Sequence, residues 1–239
     1  MSLPNISVPL FKLNLPSNGE QITYRPFLVK EEKILLVAKE ATDIESVTLA
    51  VQQVLNNCTE GQIDVKKLPT FDLEYLFLNV RAKSLGEQIE LRYKHKTGKN
   101  RDGVECSAVT PVYIDVDDIK VKHRDNHSTK IMLTDTVGVK MKYPTIDLVN
   151  KIDSFNDEAS IPIIVECVEC LFDENKIYDE TTTTKEELIE FIEKLDAKQM
   201  SKIREFFYTM PKLTYEVEYT WNSCGQKDTI RLEGLSDFF

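Results

Sequence analysis

The sequence predicts an α+β fold: a helical body with projecting antiparallel β-hairpins, a helix-plus-hairpin unit used twice, and degenerate zinc-ribbon-like tips. Three observations carry this. Asn18-Gly19 punctuates two alternating stretches near the start, the hydrophobic period changes from helical to two at Gly86, and a helix–break–strand–polar tip order occurs twice in the 239 residues.

The elements follow in chain order. Val8, Leu10 and Phe11 lead to PSNGEQ, and Ile22, Tyr24 and Phe27 follow. Asn and Gly both tolerate the positive φ that tight hairpin turns demand, so the chain opens as a β-hairpin. Pro26, which lacks an N–H, ends its second strand. Lys30 to Lys39 predicts a first helix. A second starts at Thr42, with Thr42 and Glu45 at capping-box spacing and Ile44, Val47, Val51, Val54 and Leu55 on one stripe. A third follows LPT, carries Phe71, Tyr75, Leu78, Ala82 and Leu85, and stops at Gly86.

Beyond Gly86, IELRYKH and VTPVYIDVDDIKV alternate around a long polar tip, which predicts a second hairpin. KIMLTDTVGVKMKYP predicts a third, turning near Thr134 to Gly138. Helices are expected from Thr145 to Phe155 and from Ser160, the latter with Ile161, Ile164, Val165, Val168, Leu171 and Phe172 on its apolar face. Thr184 and Glu187 form a further capping box. One more helix runs from Asp196, carries Met200, Ile203, Phe207 and Met210, and stops before Pro211. LTYEVEYTW and DTIRLEGL close the chain as a hairpin. LEYLFLNVRAKSLGEQIELRYKH and SKIREFFYTMPKLTYEVEYTW share one pattern, which suggests pseudo-symmetric halves. The expected organisation is 1–86 (hairpin and helices), 87–143 (central hairpins) and 144–239 (helices and closing hairpin).

Composition narrows function. Hydrophobic residues make up 41% and charged residues 29%, and no run approaches the roughly 20 apolar residues of a membrane helix. MSLPNISVPLFKLNLP has no basic segment followed by an apolar stretch, so the protein is expected in the cytosol where it is made. Five scattered cysteines argue against a disulfide framework. A net charge of −10 disfavours a surface built to neutralise phosphates, and RYKHKTGKNR reads as a solvated hairpin tip.

No reaction chemistry is visible. Cys167-Val168-Glu169-Cys170 has the spacing of a thiol pair, but it falls inside a predicted helix among aliphatic neighbours, where thiols pack as small hydrophobes. His123 and His127 sit in a polar loop. Carboxylates such as Asp115, Asp117 and Asp118 lie at strand ends, without the glycine and closing glutamate of a calcium loop. There is neither a phosphate-cradling glycine loop nor a G-x-S-x-G elbow. The chain is expected to be a non-enzyme without catalytic or cofactor residues.

The last tip, Trp221-Asn222-Ser223-Cys224-Gly225, has the spacing of a zinc knuckle with Trp221 where the first thiolate belongs. At the earlier tip Cys106 and His95 stand eleven residues apart. A full ligand set does not assemble from either tip, so packing is expected to replace the metal, and zinc is disfavoured. The terminal Leu235, Phe238 and Phe239 lack a polar cap, and such aromatics dock on their own domain or on a neighbour. With Tyr24 and Phe27 of the opening hairpin, an edge for strand addition, and Trp221, they make the expected partner interface.

YRPFLVKEEKILLVA, LPTFDLEYLFLNVRAKSLGE, NHSTKIMLTDTVGVKMKYPT and FFYTMPKLTYEVEYTWNSCGQKDTIRLEGLSDFF together resemble the T4-type bacteriophage baseplate hub protein family, nearly end to end. The resemblance implies a structural role in the baseplate hub of a contractile tail, with no catalytic residues. Its partners would be other baseplate and tail proteins, with no nucleic acid, membrane or small-molecule substrate. Its place would be the virion, and the host cytoplasm during assembly. The family's tips often hold Cys-x-x-Cys pairs, from which this sequence departs at both tips. Two alternatives stand beside this: a hub assembly chaperone absent from the mature virion, and a zinc-ribbon-like nucleic-acid-binding adaptor.

Overall fold

The computed structural model describes residues 6–41, 43–95, 98–150, 160–234 and 237. The chain runs β1 (Phe11–Asn14), β2 (Gln21–Tyr24), α1 (Val29–Glu40), α2 (Ile44–Cys58), α3 (Thr70–Leu85), β3 (Gln88–Tyr93), β4 (Thr110–Asp115) and β5 (Lys120–Lys122). Next come β6 (Lys130–Met132), β7 (Gly138–Met141), α4 (Ile146–Val149), α5 (Ser160–Glu166), β8 (Val168–Phe172), β9 (Ile177–Tyr178), α6 (Lys185–Glu193) and α7 (Ala197–Thr209). The closing strands are β10 (Lys212–Thr220) and β11 (Lys227–Glu233). The helices and antiparallel hairpins make a mixed fold, and no described helix is long and apolar enough to cross a membrane.

The chain divides into two compact units that differ from the expected three blocks. Unit 1 comprises residues 1–65, 71–122 and 212–239, and unit 2 comprises 66–70 and 123–211. Unit 1 opens with the expected hairpin, in which Phe11 faces Tyr24 and Gly19 adopts φ 73° at the turn. β2 ends at Tyr24, two residues before Pro26. α1 packs along α2. The cap of α2 is Asp43, whose carboxylate accepts the Ser46 N–H at 2.7 Å, one residue beyond the expected start; Thr42 lies outside the described residues. Asp outranks Thr as an N-cap, which accounts for the displacement. α3 buries more than one stripe: Phe71, Leu73, Leu76, Phe77, Leu78 and Val80 are all inside, whereas Leu85 is exposed. It is therefore the central helix of the unit.

Both long ribbons belong to unit 1. β3 pairs with β4, while β10 pairs with β11 on one side and with β5 on the other, where Leu213 faces Val121. Leu78 and Ala82 of α3, Ile89, Val112, Ile114 and Ile119 of the first ribbon region, and Leu213 and Leu232 of the second share one core. The expected pseudo-symmetric halves, each with its own ribbon, are thereby corrected: α7 belongs to unit 2, but the strand after it completes the sheet begun by β5.

Unit 2 has a four-stranded antiparallel sheet ordered β6-β7-β8-β9. Its core gathers Val139, Met141, Ile164, Val168, Leu171, Ile192, Ile203 and Phe206. The helix expected from Ser160 stops at Glu166, and Val168–Phe172 is a strand in which Leu171 faces Val139. Val and Phe suit a strand at least as well as a helix, and ladder pairing with β7 decides between them. α6 and α7 start as expected, on the Thr184–Glu187 and Asp196–Gln199 capping boxes. The helix expected from Thr145 is α4; residues 151–155 of that expectation lie outside the described residues.

Candidate functional site at the hairpin tips

The tips of the two unit 1 ribbons meet. Between β10 and β11, Trp221 N–H donates to the Gln226 carbonyl at 2.9 Å and Gly225 N–H to the Trp221 carbonyl at 2.8 Å, closing a knuckle. Gly225 has φ 68°, a conformation that side chains with a Cβ disfavour. On the β3–β4 tip, Cys106 N–H donates to the Gly98 carbonyl at 2.7 Å, which folds the long loop back beside His95. Four further bonds join the tips. Asn222 N–H donates to Thr110 Oγ1 at 3.1 Å, Arg101 N–H to Gln226 Oε1 at 3.1 Å, Gln226 Nε2 to Asp102 Oδ2 at 2.7 Å, and the Arg101 guanidinium to Asp228 at 2.9 Å.

Aromatic packing fills the junction. The His95 ring stacks on Trp221 with centroids 3.8 Å apart, Tyr219 meets Trp221 edge-on, and Tyr93 lies 6.1 Å from Tyr219. Trp221 Nε1–H donates to Asp228 Oδ2 at 3.3 Å. Burial alone would raise the Asp228 carboxyl, but hydrogen bonds from Thr229 N–H and Trp221, with the Arg101 charge, hold it below the usual range. Burial and the Asp228 charge push the Tyr219 phenol up to about 12.

At the centre, one donor atom each from His95, Cys106 and Cys224 lies within 4.8 Å of the others. His95 Nε2 is 3.6 Å from Cys224 Sγ, and Cys106 Sγ is 2.7 Å from Ser223 Oγ. Cys106 is buried; His95 and Cys224 are half-buried. Among the described residues this is the one cluster of three or more metal-capable side chains. Sequence spacing did not reveal it, because the donors come from two ribbons that adjoin only once β10 and β11 join this unit.

The other sequence candidates fall elsewhere. Tyr24, Phe27 and Trp221, expected at a partner interface, are buried within their own unit at 2%, 8% and 5% exposure. Leu235, Phe238 and Phe239 lie outside the described residues. Cys167 is buried and its thiol is pushed up to about 12 by burial, while Cys170 sits in β8 beside Lys140. A low thiol pKa is what makes a redox pair reactive, and burial moves both of these thiols the opposite way. His123 is exposed, whereas His127 is wedged against Tyr143 and Phe206 rather than lying on a surface loop. A cavity of about 340 Å³ in unit 2 is rimmed by Lys142, Glu166, Glu169, Asp179 and Lys185, a mixed-charge lining.

No curated protein and no solved structure is matched by this chain. One protein-family model does match, that of the T4 bacteriophage base plate protein, and it spans residues 8–239. The chain belongs to the T4 bacteriophage base plate protein family.

Proposed function

We propose that the chain is a structural component of the baseplate hub of a contractile-tailed bacteriophage, acting without catalysis through contacts with other baseplate and tail proteins. Beyond family membership, one observation supports this reading: α1 exposes three large apolar side chains among the lysines of its outer face. The helix turns Glu31, Ile34, Leu35 and Ala38 inward, yet Val29, Leu36 and Val37 point out at 67%, 57% and 71% exposure. Ile44 and Leu49 of the neighbouring α2 are exposed as well. A surface helix normally sets charge against water, so large apolar side chains grouped on two neighbouring helices support a face that a partner covers. Burying one such Leu or Val contributes about 1.5–3 kcal/mol, enough for three or four residues to anchor an interface.

The interface thus rests on Val29, Leu36 and Val37 rather than on Tyr24, Phe27 or Trp221, whose side chains are occupied internally. Partner contacts of this kind require neither nucleic acid nor a membrane, and the acidic composition suits a soluble subunit awaiting assembly. The test is incorporation. Phage deprived of this protein and supplied with a Leu36→Glu, Val37→Glu variant should yield baseplates lacking it, while the purified variant melts as the wild type does. Mass spectrometry of purified wild-type virions separates the structural role from a chaperone: absence from mature particles overturns the proposal.

A further inference from the structure

We infer that His95, Cys106 and Cys224 bind one zinc ion, which clamps the two ribbon tips of unit 1 together. The donors fit that ion on three counts. Two thiolates and an imidazole are the ligands zinc prefers. With metal–sulfur bonds of about 2.3 Å and metal–nitrogen bonds of about 2.0–2.1 Å, a tetrahedral site separates N from S by about 3.5 Å and S from S by about 3.8 Å. The His95 Nε2 to Cys224 Sγ distance of 3.6 Å meets the first value, and all donors lie within 4.8 Å of one another, so closing on an ion requires only small side-chain movements.

The supports on either side are built as well. The knuckle at Trp221–Gly225 presents Cys224, the Cys106 N–H to Gly98 bond presents Cys106, and the Trp221 indole fixes the plane of His95 from one face. Such outer supports fix ligand orientation in metal sites. Trp221 stands three residues before Cys224, where a knuckle would carry its other thiolate, and its ring is buried in the junction instead. Among the described residues the site thus has three ligands, and a water would complete a four-coordinate ion. Binding Zn²⁺ releases the two thiol protons to solvent and uses the neutral imidazole of His95 through its nitrogen lone pair.

This inference stands apart from the baseplate reading, and its failure would leave that reading untouched. The experiment uses the full chain, purified without a histidine tag. Elemental analysis should find about one zinc per chain. Stripping the ion should lower the melting temperature, and adding Zn²⁺ back should restore it and shift the emission of the single tryptophan beside His95. Co²⁺ should give thiolate charge-transfer absorption and the visible bands of a tetrahedral site. Cys106→Ser, Cys224→Ser and His95→Gln should each weaken Zn²⁺ binding by more than about 100-fold, beyond what loss of an outer support causes. Cys170→Ser should bind as the wild type does. If the ligand variants fail to fold, the wild-type Co²⁺ spectrum decides alone. A wild-type chain that gives no thiolate–cobalt band, and whose melting and emission ignore Zn²⁺, overturns the site.

Discussion

The imidazole of His95 lies on the indole of Trp221, with ring centroids 3.8 Å apart and planes inclined by 24°. The stack joins residues from different ribbons, so it measures directly whether the tips are closed. Trp221 is also tied to Asp228 and is only 5% exposed. Trp221→Ala should destabilise unit 1 by about 3–5 kcal/mol, the usual cost of emptying a large aromatic site. His95→Ala uncovers one face of the indole. Its fluorescence should then become clearly more open to a soluble quencher than in the wild type; equal quenching would mean that the stack does not persist in solution.

A second relationship sits at the start of α1. Glu31 is fully buried; it accepts from the Arg25 guanidinium at 3.1 Å and from Leu28 N–H at 2.9 Å. Burial would raise its pKa, but these hydrogen bonds and the charges of Arg25 and Lys30 hold it below the ordinary 4.5. Arg25→Ala leaves the buried carboxylate with only the Leu28 N–H and the exposed Lys30 beside it, and should cost up to about 3–5 kcal/mol in chemical denaturation. Because the folded-state pKa is depressed, the contribution of Glu31 is present above about pH 4.5 and is lost as pH falls through the folded value. An Arg25→Met, Glu31→Leu double variant should recover much of the loss and remove that part of the acid sensitivity.

In unit 2, Gly138 of β7 faces Phe172 of β8, and a Cβ on Gly138 would fall 2.2 Å from the Phe172 ring. The ring lies across the glycine, with Lys130 Nζ 4.7 Å from its centroid. Gly138→Ala has no room without moving the ring, and overpacking of this kind should cost about 1–3 kcal/mol. Adding Phe172→Leu to that variant should return part of the stability, a coupling readable in a double-mutant cycle.

These cases mark where sequence was informative. Asn18-Gly19, Gly86, the Thr184–Glu187 box and the stop before Pro211 are local signals, and each placed an element boundary because the backbone chemistry is local. Val168–Phe172 misled because its apolar residues suit a helix stripe and a buried strand alike, and only pairing with β7 separates the two. Glu31 looks like any solvated helix charge until the fold brings Arg25 beside it. The cluster of His95, Cys106 and Cys224 was least legible: each donor was visible, but β10 had to be credited to the sheet of β5, not to its preceding helix, before Cys224 could reach the others.

His127 gives a pH test of unit 2. Thr209 Oγ1 donates to the Glu205 carbonyl at 2.7 Å, so at 2.9 Å it accepts from His127 Nδ1–H. His127 Nε2 then accepts from the Tyr143 hydroxyl at 3.0 Å, and the ring packs against Phe206. Every contact thus suits the neutral imidazole. Burial, with a smaller contribution from His123, lowers its pKa below the ordinary 6.5. As pH falls below about 6.5, the unfolded chain takes up the proton first, so the stability contributed by His127 is full above that value and shrinks toward the folded pKa. The melting temperature should therefore drop between about pH 7 and pH 5 more steeply in the wild type than in His127→Gln, which carries no proton to gain. Parallel profiles for the two proteins would mean that His127 takes up its proton as readily in the folded as in the unfolded chain, with the Tyr143 hydroxyl able to accept from Nε2–H.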